Sequence, residues 1–283
     1  MKSVSCIIPI YGITRNDNLS YFKQLIESLS LAAIGKLEKY EIILVNDDID
    51  NSPKSLILGV CEQYGLINCT RYIENGTNKG QAYSRNKGAK LAKNKYLHFI
   101  DQDDYVSNDF YINLINRGCN SDILISRPFF NVHFKKDVRI IPADSYILNY
   151  FYTCSSKLTH LWFLLIINIA YSPGQVLFSS PIFHEVGGFP VLVNKGSDDY
   201  GLFFNLVFKT KASFNYDSNA LFFYRTHELQ NSRICDMSAS VREFLDSVEA
   251  NSIKKRIIRN FKLSPFFSVL TKLFYIIVFK RVK

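Results

Sequence analysis

Short apolar stretches alternate with stretches of helical apolar spacing over residues 1–106. The apolar stretches are bounded by turn residues and are typical of buried strands. They cover residues 4–10, 40–45, 70–73 and 97–100. Helices are predicted between them, one capped by Asp17 or Asn18, one near residues 54–64 and one at residues 81–92. This alternation predicts an α/β fold with a doubly wound, mostly parallel sheet and helices on both faces.

The pattern is less regular after residue 107. Asp198 and Asp199 are expected to open a helix that places Leu202, Phe203 and Leu206 on one face. The other predicted elements are a strand at 121–126, a hairpin at 129–141, a buried or surface-seated helix within 146–171, a strand and short helix within 172–189, and strands at 212–216 and 220–224.

Three carboxylates follow the apolar run at residues 97–100, in the string YLHFIDQDDY. Strand interiors disfavour Asp, so Asp101, Asp103 and Asp104 should lie just beyond the strand, where open α/β sheets bind ligands. Like charges this close repel unless a cation neutralises them or one carboxylate takes up a proton. An isolated string of this kind also fits a solvated turn or a helix cap.

The net charge of +9 is concentrated at the end of the chain. Residues 250–283 contain nine basic side chains and no acidic one, so the remainder is close to neutral. This distribution disfavours a globally basic protein that binds nucleic acid. We therefore expect no nucleic-acid partner.

The six cysteines are scattered and include no CxxC pair, which disfavours a zinc ribbon and suits reduced thiols in a cytosol. The N-terminal MKSVSCIIPIYG is typical of a strand rather than a signal peptide. No stretch offers the ~18 uncharged apolar residues of a membrane-spanning helix. We therefore expect a cytoplasmic protein.

A dinucleotide-binding Rossmann domain is the first alternative for this strand and helix order. It requires G-x-G-x-x-G between the first strand and the first helix, and that turn contains only Gly12. The acidic residues instead follow later strands, so the Rossmann alternative is rejected.

Six strings, in this order, resemble the family 2 glycosyltransferases, which have a GT-A fold and transfer sugars from nucleotide sugars with inversion. They are IPIYG, VNDD, NKGQAYSRNKG, FIDQDD, EVGGF with SDDYGLFF, and YRTHELQNS. The resemblance covers roughly residues 3–235. It implies a GT-A domain at 1–235, with a nucleotide-sugar half at 1–126 and an acceptor and catalytic half at 127–235. A basic, amphipathic, helical tail would follow at 236–283.

The resemblance implies where the nucleotide sugar binds. According to this resemblance, Tyr11 lies against the base and Asp47 hydrogen-bonds the base. Arg85 contacts the donor, and Asp101 faces the ribose. The full set implied by the matching strings is Pro9, Tyr11, Asp47, Asn78, Gly80, Arg85, Asp101, Gln102 and Asp103.

It also implies a divalent cation, Mn²⁺ or Mg²⁺, bound by Asp103, Asp104 and His227. The residue types agree, because hard oxygen ligands suit these ions and a cation stabilises the charge on a departing nucleotide diphosphate. A histidine after a strand is more often structural, and only the flanking motif favours the ligand role for His227.

The pair Asp198 and Asp199 matches an acidic pair that is usually Glu-Asp in the family. Inverting transfer needs a carboxylate that takes the proton of the acceptor hydroxyl, and Asp199 is the expected base. Two more departures lie in the nucleotide pocket. Gly12 stands where Asn is frequent, and Asp48-Ile49 replaces Gly-Ser. UDP is preferred only because it is frequent in the family.

The tail alternates basic and apolar clusters, a pattern typical of a helix that lies on an anionic membrane surface. The alternative is a helix packed on the domain with a solvated basic face.

The overall expectation is an inverting hexosyl- or N-acetylhexosaminyltransferase that uses a UDP-sugar. Its acceptor would be a glycan or lipid-linked glycan of a bacterial capsule or O-antigen, at the cytoplasmic face of the inner membrane, and residues 129–175 would select it. Two alternatives stay open, a nucleotidyltransferase and a non-catalytic membrane-associated binding protein.

Overall fold

The computed structural model describes residues 2–15, 17–48, 53–118, 120–134, 137–142, 164, 168–194, 196–226, 237–248, 253–262 and 264. The strands within them are β1 (Ser3–Ile10), β2 (Lys39–Asn46), β3 (Thr70–Glu74), β4 (Tyr96–Phe99), β5 (Tyr105–Val106), β6 (Ile123–Phe134), β7 (Asp137–Pro142), β8 (Val176–Ser179) and β9 (Phe214–Thr226). The helices are α1 (Asn18–Ala33), α2 (Lys54–Gln63), α3 (Gln81–Leu91), α4 (Phe110–Arg117), α5 (Ser180–Glu185), α6 (Asp198–Lys209), α7 (Met237–Ser247) and α8 (Ile253–Lys262).

The described strands form one sheet in the order β3-β2-β1-β4-β8-β6-β9-β5, and β7 pairs with β6. The first four strands of the order are parallel, as the sequence predicts. Strand β8 is antiparallel to both β4 and β6, while β6 and β9 are parallel to each other. The chain leaves β1 towards β2 and β3 and later returns to β4 on the other side of β1. The topological switch point, where such sheets bind ligands, therefore lies between β1 and β4.

Both faces of the sheet are covered by helices. Alternate residues of β1 point to opposite faces, with Cys6 and Ile8 in one buried cluster and Ile7 in the other. The first cluster is built with α1, α2 and α4, and the second with α3, α5, α6, α7 and α8. The predicted α/β architecture with helices on both faces is therefore confirmed.

The sequence prediction was wrong about where two strands end. The separate strand and hairpin predicted at 121–126 and 129–141 share one continuous strand, β6. The two strands predicted at 212–216 and 220–224 are likewise one strand, β9. Ser126 pairs with Asp217 and Arg127 with Leu221, so three extra residues of β9 bulge out between them. The Asp217 carboxylate accepts hydrogen bonds from the backbone of Asn219 and Ala220, which turns a loop-like sequence into an irregular strand.

Helix α1 begins where the sequence predicts, but neither candidate residue caps it with a side chain. Asp17 occupies the N-cap position and makes no side-chain cap hydrogen bond. The side-chain amide of Asn18 instead donates to the carbonyl oxygen of Gly12 at 2.8 Å. Asn18 therefore connects the start of α1 to the turn that follows β1.

The described part of the predicted tail packs against the sheet domain. Phe244 and Leu245 of α7 and Ile258 of α8 are buried in the same cluster as Phe203 of α6. Residues 265–283 and most of the apolar stretch 146–171 lie outside the described residues. Among the described helices, none combines the length and apolarity needed to cross a bilayer.

Candidate active site

Gln102 connects the DQDD turn to the end of β1. Its side-chain amide donates to the carbonyl oxygen of Tyr11 at 2.7 Å, and its side-chain oxygen accepts the backbone N–H of Tyr11 at 3.0 Å. Both contacts are to the main chain, so the Tyr11 side chain is left 46% exposed at the switch point. An exposed aromatic ring on a fixed backbone can stack on a nucleotide base.

Asp47, directly after β2, organises the loop that leads into α3. One carboxylate oxygen accepts hydrogen bonds from the side chain of Asn75 and the backbone of Lys79, at 2.9 and 2.7 Å. The other accepts the backbone N–H of Gly80 at 2.7 Å. Both carboxylate oxygens of Asp47 already accept hydrogen bonds within the protein. The predicted contact with a nucleotide base would therefore need a further lone pair on one of these oxygens.

The remaining predicted donor residues in this region border the same edge. Pro9 lies in β1 opposite Val45 of β2, and Asn78 is exposed in the loop that Asp47 holds. Gly80 precedes α3 with φ of +87°, a left-handed conformation that favours glycine.

Two residues that depart from the family pattern contact each other. The backbone N–H of Gly12 donates to a carboxylate oxygen of buried Asp48 at 3.0 Å. The guanidinium of Arg15 is 3.7 Å from that oxygen and lies over the Tyr11 ring, 5.0 Å from its centroid. The two departures therefore form one local arrangement beside Tyr11.

Arg85 of α3 joins the DQDD turn to the acidic pair of α6. Its guanidinium is 2.6 Å from Asp101 Oδ1 and 2.9 Å from Asp198 Oδ2, and its side chain is only 3% exposed. The Phe189 ring covers it, with 5.2 Å between guanidinium carbon and centroid. Gln81 donates a further hydrogen bond to Asp101 Oδ1. Burial raises the pKa of Asp101, Arg85 opposes that rise and Asp103 adds to it.

Helix α3 carries Arg85 close to the sheet because Gly88 faces β1. A β-carbon at Gly88 would lie 2.4 Å from the Ile7 side chain, so only glycine permits this approach. On the other side of α3, the Asn86 amide pairs with the backbone of Phe189. It donates to the Phe189 carbonyl oxygen at 2.8 Å and accepts the Phe189 N–H at 2.9 Å.

The two last carboxylates of the DQDD turn face different surroundings. Asp103 is partly exposed, whereas Asp104 is 1% exposed and accepts the backbone N–H of Arg225 at 2.9 Å. Within the part of the chain that the structure describes, the second oxygen of Asp104 is buried with no hydrogen-bond partner. Burial and the charges of Asp103 and Asp101 raise the pKa of Asp104 well above its ordinary value.

Asp199 lies at the start of α6, beside Asp198. One of its oxygens accepts the Asn168 side-chain amide at 3.0 Å, and the other accepts the backbone N–H of Tyr200 at 2.7 Å. Removal from water, with the neighbouring charge of Asp198, raises the pKa of Asp199 to about 7, although the Tyr200 N–H and Arg85 oppose the rise. A carboxylate with this pKa can exchange a proton near neutral pH.

The profile of glycosyl transferase family 2 matches residues 5–180, more than half of the chain. The chain belongs to glycosyl transferase family 2. The family predicted from the six sequence strings is therefore confirmed.

Several curated proteins match parts of this family 2 chain. The minor teichoic acid biosynthesis protein GgaB of Bacillus subtilis is 36% identical over 114 residues, which are 40% of this chain and 11% of GgaB. The poly(ribitol-phosphate) beta-N-acetylglucosaminyltransferase TarP of Staphylococcus aureus is 31% identical over 131 residues, 45% of this chain and 37% of TarP. The matched stretch thus covers well under half of these relatives.

The fold matches solved structures of TarS from S. aureus. TarS residues 1–349 in complex with UDP-GlcNAc superpose with a TM-score of 0.66 at 17% identity, over 96% of this chain and 77% of that one. The TM-score with TarS 1–349 in complex with UDP is 0.63. This similarity confirms the predicted GT-A fold.

The DQDD residues fit a divalent cation that takes its other ligands from a diphosphate. Among the described residues, no group of three or more His, Cys, Asp or Glu side chains forms a complete metal site. Mg²⁺ and Mn²⁺ commonly bind through one or two carboxylates plus substrate phosphates. Asp103 and the unpartnered oxygen of Asp104 can provide the carboxylate ligands. His227, the third predicted ligand, lies outside the described residues.

Several residues in these contacts were missed by the sequence analysis, among them Gln81, Asn86, Asn168 and Arg225. Gln81, Asn86 and Arg225 lie within the family strings, and their position there was a usable signal. Asn168 gave no signal, because it is a single polar residue in a long apolar stretch.

Proposed function

We propose that this chain is an inverting glycosyltransferase that moves a sugar from a UDP-sugar to an acceptor hydroxyl. The ion pairs of Arg85 with Asp101 and Asp198 are the observation that supports this proposal most directly. They bring a donor-side carboxylate and the acidic pair into one buried network at the edge of the sheet where α/β proteins bind ligands.

The donor would lie across the ends of β1 and β4. Tyr11 presents its exposed ring to the base, and Asp101 faces the ribose beside Arg85. Asp47 and Gly80 hold the loop with Asn78 next to the nucleotide. Gln102 fixes the backbone of Tyr11 relative to the carboxylates, so base and diphosphate are bound in a defined relation.

Asp103 and Asp104 would hold the cation, with His227 as a further ligand. When bound, Mn²⁺ or Mg²⁺ supplies Lewis-acid stabilisation of the charge that develops on the diphosphate. The chain itself keeps the carboxylates of the turn in place and limits the access of water to Arg85, Asp101 and Asp198.

Asp199 would act as the general base, with Asp198 beside it. The acceptor oxygen forms its bond to the anomeric carbon on the face opposite the diphosphate, while the bond from that carbon to the diphosphate oxygen breaks. The nucleoside diphosphate leaves with the electron pair, the acceptor proton passes to Asp199, and the anomeric configuration inverts. Asn168 and the Tyr200 N–H orient the two oxygens of Asp199.

The names of the relatives guide the choice of substrates. GgaB and TarP are named for teichoic acid synthesis and poly(ribitol-phosphate) modification, and TarS was solved with UDP-GlcNAc. We therefore propose a glycan or lipid-linked glycan of the bacterial cell envelope as the acceptor, with UDP-GlcNAc as the first donor to test. The reaction would take place at the cytoplasmic face of the membrane.

The test is hydrolysis or transfer across a panel of UDP-sugars with Mn²⁺ or Mg²⁺, for the wild type and for Asp199→Asn. One donor is expected to turn over, and the variant is expected to lose roughly 10²–10⁴-fold in kcat while UDP binding is unchanged. Asp246→Asn is the matched control, because Asp246 is an exposed carboxylate of α7 that pairs with Arg259.

Different results in these assays would favour one of the two alternative functions. Pyrophosphate release from a nucleoside triphosphate and a sugar phosphate would indicate a nucleotidyltransferase. Absence of metal-dependent nucleotide binding would favour a non-catalytic binding protein. Equal activity of Asp199→Asn and the wild type would contradict the assignment of the base.

A further inference from the structure

We infer that Arg225 is a positioning residue that fixes the DQDD turn in the form that binds the cation and the diphosphate. This inference rests on the proposed function. Arg225 holds the turn by two different groups. Its side-chain Nε donates to the carbonyl oxygen of Asp103 at 2.7 Å, and its backbone N–H donates to Asp104 Oδ1 at 2.9 Å.

The guanidinium of Arg225 is itself held in place. It lies between two aromatic rings, 4.1 Å from the centroid of Tyr21 and 5.4 Å from that of Tyr105. A terminal nitrogen donates to the side-chain oxygen of Gln24. Arg225 as a whole is 2% exposed, so these contacts are made away from water, where they are strong.

The surrounding residues keep this arrangement rigid. The Tyr105 ring stacks on Phe223 with 4.6 Å between centroids and a 5° angle between planes. The Tyr105 hydroxyl accepts the side-chain amide of Asn131 at 3.0 Å. Strands β5, β6 and β9 therefore support one face of Arg225, and α1 supports the other through Tyr21 and Gln24.

The position of Arg225 explains how three neighbouring carboxylates stay on one tight turn. Asp101, Asp103 and Asp104 repel one another, and a buried cation bonded to the turn offsets that repulsion. Arg225 engages the carbonyl oxygen of Asp103 and one oxygen of Asp104, and the second oxygen of Asp104 is buried with no hydrogen-bond partner among the described residues. Residues that orient the ligands of a metal in this way typically change metal affinity when mutated.

The experiment compares Mn²⁺ binding, measured by electron paramagnetic resonance in the presence of UDP, between the wild type, Arg225→Lys and Arg225→Gln. Lysine keeps the charge but lacks the fork that reaches the Asp103 carbonyl and Gln24 together. Both variants are expected to bind Mn²⁺ about 10–100-fold more weakly, as other residues behind metal ligands do. UDP binding without metal is expected to stay unchanged.

Two further variants separate positioning from general stability. Phe222→Leu removes buried volume from the same strand and keeps Arg225 together with Tyr21, Gln24 and Tyr105, and it is expected to lower the urea midpoint and leave Mn²⁺ affinity unchanged. Tyr21→Leu keeps Arg225 but removes the ring on one face, and it is expected to weaken Mn²⁺ binding in a folded protein. The Tyr21→Leu variant tests the inference if the Arg225 variants do not fold.

The outcomes distinguish the inference from the proposed function. Wild-type Mn²⁺ affinity in Arg225→Lys, or in Tyr21→Leu if the former does not fold, would overturn the inference alone. Equal weakening in Phe222→Leu would also overturn it. A wild type that binds no Mn²⁺ with UDP would overturn the metal-dependent function and, with it, the inference.

Discussion

Arg85 and Asp198 are 113 positions apart in the sequence, yet Nη1 of the arginine lies 2.9 Å from Oδ2 of the aspartate. The ion pair connects α3, which follows the loop held by Asp47, to α6, which carries the proposed base. Burial disfavours the charged form of Arg85, but Asp101 and Asp198 outweigh it and raise the pKa of the guanidinium. Arg85 is therefore a permanent positive charge shared by both halves of the candidate site.

Arg85→Gln is expected to destabilise the protein as well as the site. It leaves Asp101 and Asp198 partly buried without their cation, and breaking a buried ion pair in this way typically costs about 3–5 kcal/mol. Urea unfolding at pH 7.5 measures the change. Arg15→Gln is the control, because its side chain is 52% exposed and should change the unfolding free energy little. Equal effects of the two variants would contradict the importance of burial.

The pH dependence of transfer should report on Asp199. Only the deprotonated carboxylate can accept a proton, and its pKa is raised to about 7, so kcat/KM is expected to rise with pH and reach half its maximum near that value. Asn168→Ala removes a hydrogen bond to the charged carboxylate of Asp199 and should therefore raise its pKa. The rise of kcat/KM with pH should then occur at higher pH. A profile that is identical in both proteins would show that Asn168 does not act on the base.

Glu243 of α7 is expected to support the loop that precedes Asp198. Its carboxylate accepts the backbone N–H groups of Val193 and Asn194, at 2.7 and 2.8 Å, and the Asn194 side-chain amide at 2.8 Å. Glu243→Ala should lower kcat roughly tenfold through misplacement of the acidic pair and leave the Kd for UDP unchanged. The exposed neighbour Arg242, changed to Gln, provides the comparison. A loss of UDP binding would instead indicate a wider structural defect.

Gly188 and Gly187 allow the cost of a steric clash to be separated from the cost of a strained backbone conformation. Both have a positive φ, +76° and +84°, but a β-carbon at Gly188 would lie 2.5 Å from Asn86 Oδ1, whereas nothing lies within 4 Å of one at Gly187. Gly187→Ala should cost about 1–2 kcal/mol for the left-handed conformation alone. Gly188→Ala should cost about 1–3 kcal/mol more, because it also displaces the amide that pairs with Phe189. Equal losses in urea unfolding would show that the Asn86 contact contributes nothing.

His98 of β4 should make stability depend on pH. Its Nε2 must carry the proton, since it donates to the Gly174 carbonyl oxygen at 2.8 Å, and Nδ1 then accepts the Tyr111 hydroxyl at 2.8 Å. Burial lowers the pKa of His98 from 6.5 to about 4. The unfolded state therefore binds the proton first, and the contribution of His98 is complete above pH 6.5 and is lost as pH falls towards 4.

Between pH 7.5 and 5 the loss is on the order of 2 kcal/mol, because pH 5 is still above the pKa of about 4 that His98 has in the folded state. Unfolding free energies at pH 7.5 and 5 measure it, with His98→Gln as reference because that side chain does not titrate. The carboxylates whose pKa is raised act in the opposite direction in both proteins and cancel in the comparison. The same pH response in wild type and variant would contradict the role of His98.

The sequence was sufficient for the parallel half of the sheet because its strands are short apolar runs that end in polar turns. Parallel strands end at the same edge, so Tyr11, Asp47 and Asp101 could be expected near one another. The joined strands β6 and β9 could not be expected, because Asp217 and the residues after it have the composition of a loop and become a bulge only beside β6.

The partners of the residues that join the site could not be predicted from the sequence, although Asn86 and Gln102 themselves lie within the family strings. Asn86 pairs with the backbone of Phe189 across 103 positions, and Gln102 with that of Tyr11 across 91. Hydrogen bonds between a side chain and a distant backbone leave no periodic pattern. The hydrogen bonds from Asp47 to the loop before α3 were hidden for the same reason, and its contact with a base stays a prediction.

The pairing of Gln102 with Tyr11 has a consequence for how this pocket can be redesigned. Gln102 forms its hydrogen bonds only with the main chain of Tyr11. These hydrogen bonds therefore do not depend on which side chain is present at that position. If residue 11 contacts the base as proposed, a library of aromatic and aliphatic residues at that position would change nucleobase preference while the carboxylate turn keeps its distance from β1. Under the proposed function, recognition of the base and placement of the diphosphate would therefore be separable in this protein.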